Sequence, residues 1–320
     1  MSLVNPATAD PVNAPDGRPS PPDRKRPRIS PDTRLGLLMV APAVVVLVAV
    51  LLYPAYVAAE SSFFSINTIT RIERFVGLEN YRELLRDPEF WSSFRRTVVW
   101  ATGAMVSQVV VGIAVALLLH KAVRGRALVR CFVLFPYLVP AIVAVLTWRW
   151  IFSDTIGIAN YLLVDVAGIL DRPLSWFAPQ WAMVSVIIMS LWKYLPYWAL
   201  FVLARLQTLP TDLYEAASID GASAFQRFRY ITWPWIFPVV MVLLVLRSIW
   251  AFNEFDMVFL PVKGGPLFTT TTVPVYIRKV AFEYGDIGAA AAIAMTMLVA
   301  VAVLTNLYFR VYRWSEKQLD

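Results

Sequence analysis

Six apolar stretches, each long enough to cross a lipid bilayer, constrain this sequence more than any other feature. A membrane-spanning helix needs about 20 apolar residues at a rise of 1.5 Å each. With 58% hydrophobic and only 16% charged residues, the chain is more apolar than soluble domains usually are. It is therefore predicted to be an all-α, polytopic membrane protein with six transmembrane helices. The stretches lie at Leu35–Ala58, Thr97–Leu119, Cys131–Ile151, Ala182–Ala204, Ile236–Leu260 and Ile287–Phe309.

The first 34 residues have a different composition. They contain eight prolines and a basic run, Arg24-Lys25-Arg26-Pro27-Arg28. Such a segment cannot bury a core, so residues 1–34 are predicted to form a disordered tail. Because the first apolar stretch follows so long a polar segment, it is expected to be a retained helix and not a cleaved signal peptide.

Lysine and arginine fall unevenly on the two sides of the predicted spans. The side that carries the N-terminal tail holds 16 of them outside the apolar stretches, against 10 on the other side. The positive-inside rule then places both termini in the cytoplasm, in the cytoplasmic (inner) membrane. The net charge of +7 is explained by basic loops beside anionic lipid, and nucleic acid is not expected as a partner.

Catalytic and metal-binding residues are not evident in the sequence. The chain has one cysteine, Cys131, and one histidine, His120, which cannot build a disulfide framework or a multi-ligand Cys/His metal site within the chain. No lysine is followed by Ser or Thr, so no P-loop for ATP can be written. We therefore expect neither a catalytic site nor a bound metal or cofactor in this chain.

The loop between the fourth and fifth stretches, residues 205–236, carries helix signals of its own. Asp212 with Glu215 three residues later predicts a capping box, and Ala216 and Ala217 favour the helix that follows. Gly221 suits the left-handed residue that ends such a helix.

A second short helix is predicted after that glycine. Ser223 and Gln226 form another capping-box pair, and Pro234 and Pro238 mark the entry to the fifth span. Two short helices would then meet at an elbow whose small Ala-Ala face suits insertion into a groove on a partner protein.

The elbow sequence resembles the EAA loop of ABC importer permeases. The match consists of Glu215-Ala216-Ala217, Gly221 after three residues, then Ile231 and Pro234. Trp233 stands where the family pattern has leucine. The resemblance implies that Glu215, Ala216, Ala217, Asp220, Gly221, Ile231 and Pro234 couple this chain to an ATPase subunit.

Further stretches resemble the carbohydrate branch of this family, the maltose-type and glycerol-phosphate-type importers. They are Phe75-Val76-Gly77-Leu78-Glu79-Asn80-Tyr81, Phe252-Asn253-Glu254-Phe255-Asp256 and Gly264-Gly265-Pro266. Lys263 replaces the small polar residue usual before the last of these. The resemblance implies the type I ABC importer permease fold and transport of a sugar or sugar derivative.

The resemblance also implies a division of the chain and a set of partners. Residues 35–96 would hold the first helix and an amphipathic segment on the outer side, residues 97–310 the permease core, and residues 311–320 a cytoplasmic C-terminus. The expected partners are ATP-binding ABC subunits that hold ATP and Mg, a second and different permease chain, an extracytoplasmic solute-binding protein, the sugar and the lipid bilayer.

Charged residues inside apolar spans are costly and are default candidates for a solute pathway. Lys193 has Tyr197 one turn on, an aromatic ring beside a donor as in many saccharide sites. Arg247, Trp250 and Glu254 are predicted to share one helix face, with Asn253 beside it. Alternatively, Arg247 pairs with an acid on another helix, and the aromatic residues are interfacial belts.

Two other function classes remain possible from the residues alone. A secondary, ion-coupled transporter of a small polar solute would need broken helices repeated in two halves, and no convincing pair is visible. An intramembrane enzyme would need a metal cluster or a nucleophile with a base, and the lone His120 lies at the end of a span.

Overall fold

A computed structural model describes residues 31–69, 72–121 and 126–316 of the 320-residue chain. The chain divides into two units, residues 1–54 and 55–320. In the first unit the described residues are helical and their described side chains are exposed. The buried residues of the described chain all belong to the second unit.

Helices dominate the described residues, as predicted. In chain order they are α1 (Pro31–Leu47), α2 (Tyr53–Ser61), α3 (Glu79–Arg86), α4 (Pro88–His120), α5 (Arg126–Leu138), α6 (Ala141–Ile151), α7 (Ile158–Asn160), α8 (Ala182–Leu206), α9 (Thr211–Ile219), α10 (Ala224–Arg227), α11 (Trp233–Phe252), α12 (Asp256–Val262), α13 (Val273–Phe282) and α14 (Ile287–Glu316). Wide π turns occupy Val48–Leu52, Tyr161–Val166 and Phe228–Thr232, and Pro266–Phe268 is a short 3₁₀ turn.

The first apolar stretch is helical, but the helix begins at Pro31, inside the segment predicted to be a disordered tail. Proline is favoured in the first turn of a helix, where its missing N–H costs nothing. The rest of the predicted tail, residues 1–30, lies outside the described residues. A π turn, Val48–Leu52, precedes Pro54, whose ring cannot fit a regular helical turn.

The second, fourth and sixth predicted spans are confirmed as α4, α8 and α14. Helix α4 starts earlier than expected, at Pro88, because the Asp87 side chain accepts a hydrogen bond from the N–H of Glu89 at 2.9 Å. Phe90, Trp91 and Phe94, which lie before the predicted second span, therefore belong to the first part of this helix.

The third predicted span, Cys131–Ile151, is not one helix. It divides into α5 and α6, which are bent by 102° at the break. Pro140 stands at the break as the N-cap of α6 and cannot donate the backbone hydrogen bond that a continuous helix would require. Among the described residues, five helices are long and apolar enough to cross a membrane, or six when the bent pair is one span.

The fifth predicted span, Ile236–Leu260, was placed too far along the chain. The span ends at Phe252, and α12 begins separately at Asp256. Towards its start, the helical path runs back through the π turn Phe228–Thr232 as far as Ala224. Pro234 lies in the first turn of α11, as expected for a proline at a helix start, whereas Pro238 lies inside the helix.

A β-hairpin that the sequence did not predict precedes α3. Strands β1 (Phe64–Asn67) and β2 (Ile72–Phe75) form an antiparallel hairpin with Phe64 opposite Phe75. The side-chain amide of Asn80 in α3 donates to the carbonyls of Ser62 and Phe64, each at 2.9 Å, and thereby joins the helix to the hairpin.

Helix α13 is attached to this part of the chain by Tyr276. Its hydroxyl donates to the Asp87 carboxylate at 2.5 Å. Burial and this hydrogen bond raise the pKa of Tyr276, so the hydroxyl stays protonated at neutral pH. The link holds α13 beside the start of α4.

The core of the second unit is built around α4, α8 and α11. Helices α4 and α8 approach closely at Gly112, where an added Cβ would lie 2.4 Å from the Cβ of Trp198. Trp198 is fully buried among apolar side chains of α4, α8 and α11, including Leu206 and Ile236. This packing fixes the position of α11, which carries the candidate functional residues at both ends.

Candidate functional site

The predicted elbow is present, and it turns at Gly221. Helices α9 and α10 are separated by a short turn in which Gly221 has φ of +72°, a conformation that favours glycine. The N–H of Ala222 donates to the carbonyl of Ala217 at 2.9 Å, as expected after a helix that ends in a left-handed residue. The prediction for Gly221 is confirmed.

One of the two predicted capping boxes forms and the other does not. The Ser223 hydroxyl accepts from the N–H of Gln226, and the Gln226 side chain accepts from the N–H of Ser223 at 2.7 Å. The box predicted from Asp212 is wrong because the N-cap of α9 is Pro210, two residues before Asp212, and the helix starts at Thr211. Asp212 lies instead in the first turn, where a carboxylate favours the positive end of the helix.

Side-chain contacts join the elbow to the two long helices on either side. The hydroxyls of Tyr214 in α9 and Thr232 in the π turn are 2.6 Å apart. At the base of the elbow, the Arg205 guanidinium donates to the carbonyl of Trp235, and the Trp235 indole donates to the carbonyl of Arg205. Movement of α9 would therefore be passed directly to the start of α11.

The predicted coupling residues lie mostly on the surface of the elbow. Glu215, Ala216, Asp220, Gly221 and Pro234 are exposed, and Ala217 and Ile231 are half-buried. Beside them, Ile219 is 87% exposed and Phe225 is 75% exposed. Exposed apolar side chains next to small residues are typical of a surface that binds another protein.

At the far end of α11, about 30 Å away by the helical rise, lies a cavity of about 440 Å³. Four of the predicted pathway residues line it. The lining consists of Tyr137, Tyr194, Arg247, Trp250, Asn253, Glu254, Phe255 and Asp256. Glu254 does not share a helix face with Arg247 and Trp250 as predicted, because the helix ends at Phe252. The turn that follows brings Glu254 to the cavity.

Arg247 is the centre of the polar wall of this cavity. Its guanidinium lies 4.0 Å from the centre of the Tyr194 ring and 3.9 Å from the Glu254 carboxylate. The Tyr194 hydroxyl donates to the same carboxylate at 2.9 Å. Arg247 is only 1% exposed, so its charge is balanced by protein groups in a setting where an unpaired charge would be very costly.

Two residues that were not predicted from the sequence, Gln108 and Ser190, complete this network. Arg247 donates through Nε to the Gln108 side-chain oxygen at 3.0 Å, and the Gln108 amide donates to the Ser190 hydroxyl at 3.0 Å. Both residues are fully buried in α4 and α8. A glutamine in an otherwise apolar span was the available signal, since a buried amide needs partners.

Lys193, a predicted pathway residue, does not line the cavity. It is 7% exposed, and its ammonium donates to the carbonyls of Pro136, Tyr137 and Val139 at the end of α5. Lysine carries three N–H donors, and these contacts use three carbonyl acceptors. The structure therefore places Lys193 at the break in the third span.

Tyr197, the partner predicted for Lys193, lies behind the cavity wall. It is buried, and its ring centre lies 5.7 Å from that of Trp250. Trp250 itself is half exposed and lines the cavity, with Asn253 and Asp256 nearby. An aromatic ring flanked by amide and carboxylate groups can stack on an apolar solute face and accept or donate hydrogen bonds.

The charged groups on the cavity wall are one cation and two anions. Arg247 is paired with Glu254, and the Asp256 carboxylate is the second negative charge on the wall. Within the ranges that the structure describes, no three His, Cys, Asp or Glu side chains are grouped so that they could hold a metal ion. The arrangement can bind a polar, hydroxyl-rich molecule.

Comparison with known proteins agrees with this arrangement. Residues 108–319 match the family described as binding-protein-dependent transport system inner membrane component. The inner membrane ABC transporter permease protein YcjO of Escherichia coli is 37% identical over 283 residues, covering 86% of this chain and 94% of the relative. The trehalose/maltose transport system permease protein MalF of Thermococcus litoralis is 36% identical over 287 residues, covering 88% and 95%.

A solved structure has the same fold. A bacterial ABC transporter involved in the import of the acidic polysaccharide alginate contains a chain that superposes with a TM-score of 0.76 at 20% identity, covering 88% of this chain and 96% of that one. The chain therefore belongs to the family of binding-protein-dependent transport system inner membrane components and is a multi-pass ABC transporter permease subunit.

Proposed function

We propose that this chain is the permease subunit of an importer that moves a sugar or sugar derivative across the cytoplasmic membrane, with the cavity as its solute site. The trehalose/maltose permease of Thermococcus litoralis is the relative whose name supports this solute class. Trp250 offers an aromatic face, and Asn253, Glu254 and Asp256 offer amide and carboxylate groups for hydroxyls. Neither Lys193 nor Tyr197 touches the solute in this proposal.

Energy for transport enters at the elbow. Separate ATP-binding subunits hold ATP and Mg, and they bind the elbow through Glu215, Ala216, Ala217, Asp220 and Gly221, with Ile231 and Pro234 supporting it. The chain itself performs no catalysis and holds no cofactor. Both termini and the elbow then lie in the cytoplasm, while a solute-binding protein delivers the sugar to the opposite side and a second permease chain completes the pathway.

One observation carries the proposal: a single helical path, Ala224–Phe252, has the elbow at one end and the cavity at the other. A helix transmits rigid-body motion because its backbone is fully hydrogen-bonded. ATP-driven movement of the elbow would therefore displace Arg247 and Trp250 and alternate the cavity between the two sides of the membrane.

Gly221→Asp tests the coupling role in membranes that contain the full transport complex. The space around Gly221 is open, so the side chain fits, but it adds a charge to the elbow. Gly221→Asn is the matched control, because asparagine has the same shape, tolerates positive φ equally well and has no charge. We expect Gly221→Asp to insert normally and to lose sugar uptake and sugar-stimulated ATP hydrolysis, while Gly221→Asn retains much of both.

Normal uptake and ATPase stimulation by Gly221→Asp would remove the elbow from the coupling path. Uptake that follows an ion gradient and persists without ATP would favour the alternative of a secondary transporter.

A further inference from the structure

The break between α5 and α6 leaves backbone carbonyls without helical partners. The two helices diverge by 102° around residues 139 and 140. The last four carbonyls of any helix lack an intrahelical N–H donor. Where such a carbonyl is buried in the protein away from water, leaving it without a donor is costly. A donor from elsewhere in the chain is therefore needed to hold the break.

Pro140 determines which carbonyl needs such a donor. In a continuous helix, the carbonyl of Pro136 would accept from the N–H of residue 140, and proline has no N–H. The Lys193 ammonium lies 3.4 Å from that carbonyl oxygen and 3.1 Å from that of Tyr137, and it also bonds the carbonyl of Val139. Its positive charge lies at the negative end of the α5 dipole, a favourable location for a buried cation.

Tyr137 belongs to the turn that Lys193 holds, and its ring forms part of the cavity wall. We infer that Lys193 is a positioning residue: by capping the end of α5 it maintains the bend of the third span and keeps Tyr137 at the cavity. The role of Tyr137 towards solute rests on the proposed function, whereas the bend does not.

A competing explanation is that packing alone holds the bend. Ala144 and Val145 of α6 are almost completely buried, Val145 in the cluster that contains Met257. Such packing could fix α6 regardless of what happens at the end of α5. A direct measurement of the bend separates the two explanations.

The bend can be measured as a distance between two spin labels in the full chain in membranes. Cys131→Ser removes the single cysteine, and Leu128→Cys and Trp150→Cys then place labels on exposed positions of α5 and α6. With the 102° bend these positions are about 20 Å apart along the helix axes, whereas one straight helix would separate them by about 33 Å. Double electron–electron resonance resolves this difference.

Lys193→Met keeps the length of the side chain and removes its donors. We expect this variant to lose the distance peak near 20 Å. Lys193→Met combined with Pro140→Ala restores an N–H for the Pro136 carbonyl, so the helix can continue, and we expect its peak near 33 Å. Arg149→Met is the control for loss of a cation near the bend, in α6 of the third span, and it should keep the short distance because Arg149 is exposed.

A peak that stays near 20 Å in Lys193→Met, or in the double variant, would overturn the inference in favour of packing. If the single variant does not insert, the double variant decides, since its carbonyls are satisfied within the helix. The distance requires neither solute nor ATP. A failed inference therefore leaves the proposed function standing, and a failed function leaves the role of Lys193 in the bend intact.

Discussion

The elbow and the cavity lie at opposite ends of one helix and are held together by different kinds of contact. Elbow contacts are local: Ser223 bonds Gln226, and Tyr214 bonds Thr232 only 18 residues away. The cavity wall depends on Arg247 bonding Gln108, which is 139 residues away in the sequence. The elbow is largely exposed, whereas Arg247 and Gln108 are buried.

This difference predicts how each end responds to change. Local, solvent-exposed contacts can be lost one at a time, because water replaces the missing partner. Buried contacts between distant segments are mutually dependent, because each lost partner leaves another polar group without a hydrogen bond in a low-dielectric interior. Substitutions at the cavity wall should therefore reduce the stability of the whole unit, and substitutions at the elbow should not.

The largest effect is expected for Arg247→Met. It leaves the Glu254 carboxylate and the Gln108 side chain without their cationic partner, and breaking a buried ion pair in this way costs about 3–5 kcal/mol. The melting temperature of the purified protein in detergent should fall accordingly.

The control is Arg247→Met with Glu254→Gln, which removes the orphaned charge as well. It should melt closer to the unaltered protein than Arg247→Met does. Equal melting temperatures of Arg247→Met and the unaltered protein would contradict the claim that the cavity wall stabilises the whole unit.

A smaller effect is expected for Trp250→Ala. Loss of the aromatic face should raise the KM for the transported sugar about tenfold, equivalent to about 1.4 kcal/mol, with little change in basal ATP hydrolysis. Trp150 is the matched control, since it is exposed on α6 and is not among the residues that line the cavity. Equal KM values for Trp250→Ala and Trp150→Ala would exclude Trp250 from the solute site.

The smallest effect is expected for Ser223→Ala. The lost cap weakens α10 by about 1 kcal/mol, which should speed hydrogen exchange at the amide of Gln226 without lowering the melting temperature. Gln226→Glu preserves the capping box and should exchange at the original rate. If Ser223→Ala lowered the melting temperature as much as Arg247→Met does, the stability of the elbow would not depend on local contacts alone.

The sequence predicted the elbow better than the cavity, for a physical reason. Gly221, Ser223 and Gln226 act on their own backbone, so their pattern is visible in a few adjacent residues. The error at Asp212 was also local, a helix start shifted by two residues because Pro210 already sets the conformation there.

The cavity depends on contacts that adjacent residues do not reveal. Lys193 and Arg247 are both charged residues in spans, yet one caps a helix and the other lines the cavity wall. That distinction depends on the break at Pro140, which a long apolar run concealed. Gln108 was missed because it has no charge, although its buried amide joins three helices.

The wide turn at Phe228–Thr232 has a consequence for the whole of α11. Each residue of a regular helix advances the side-chain direction by about 100°, and a wide turn accommodates one residue more than a regular one. The direction in which the Trp250 and Arg247 side chains point around the helix axis, relative to the elbow, is therefore set by that single additional residue. Deleting one residue there would rotate both side chains by roughly a quarter-turn and point them away from Tyr194, with every helix still intact.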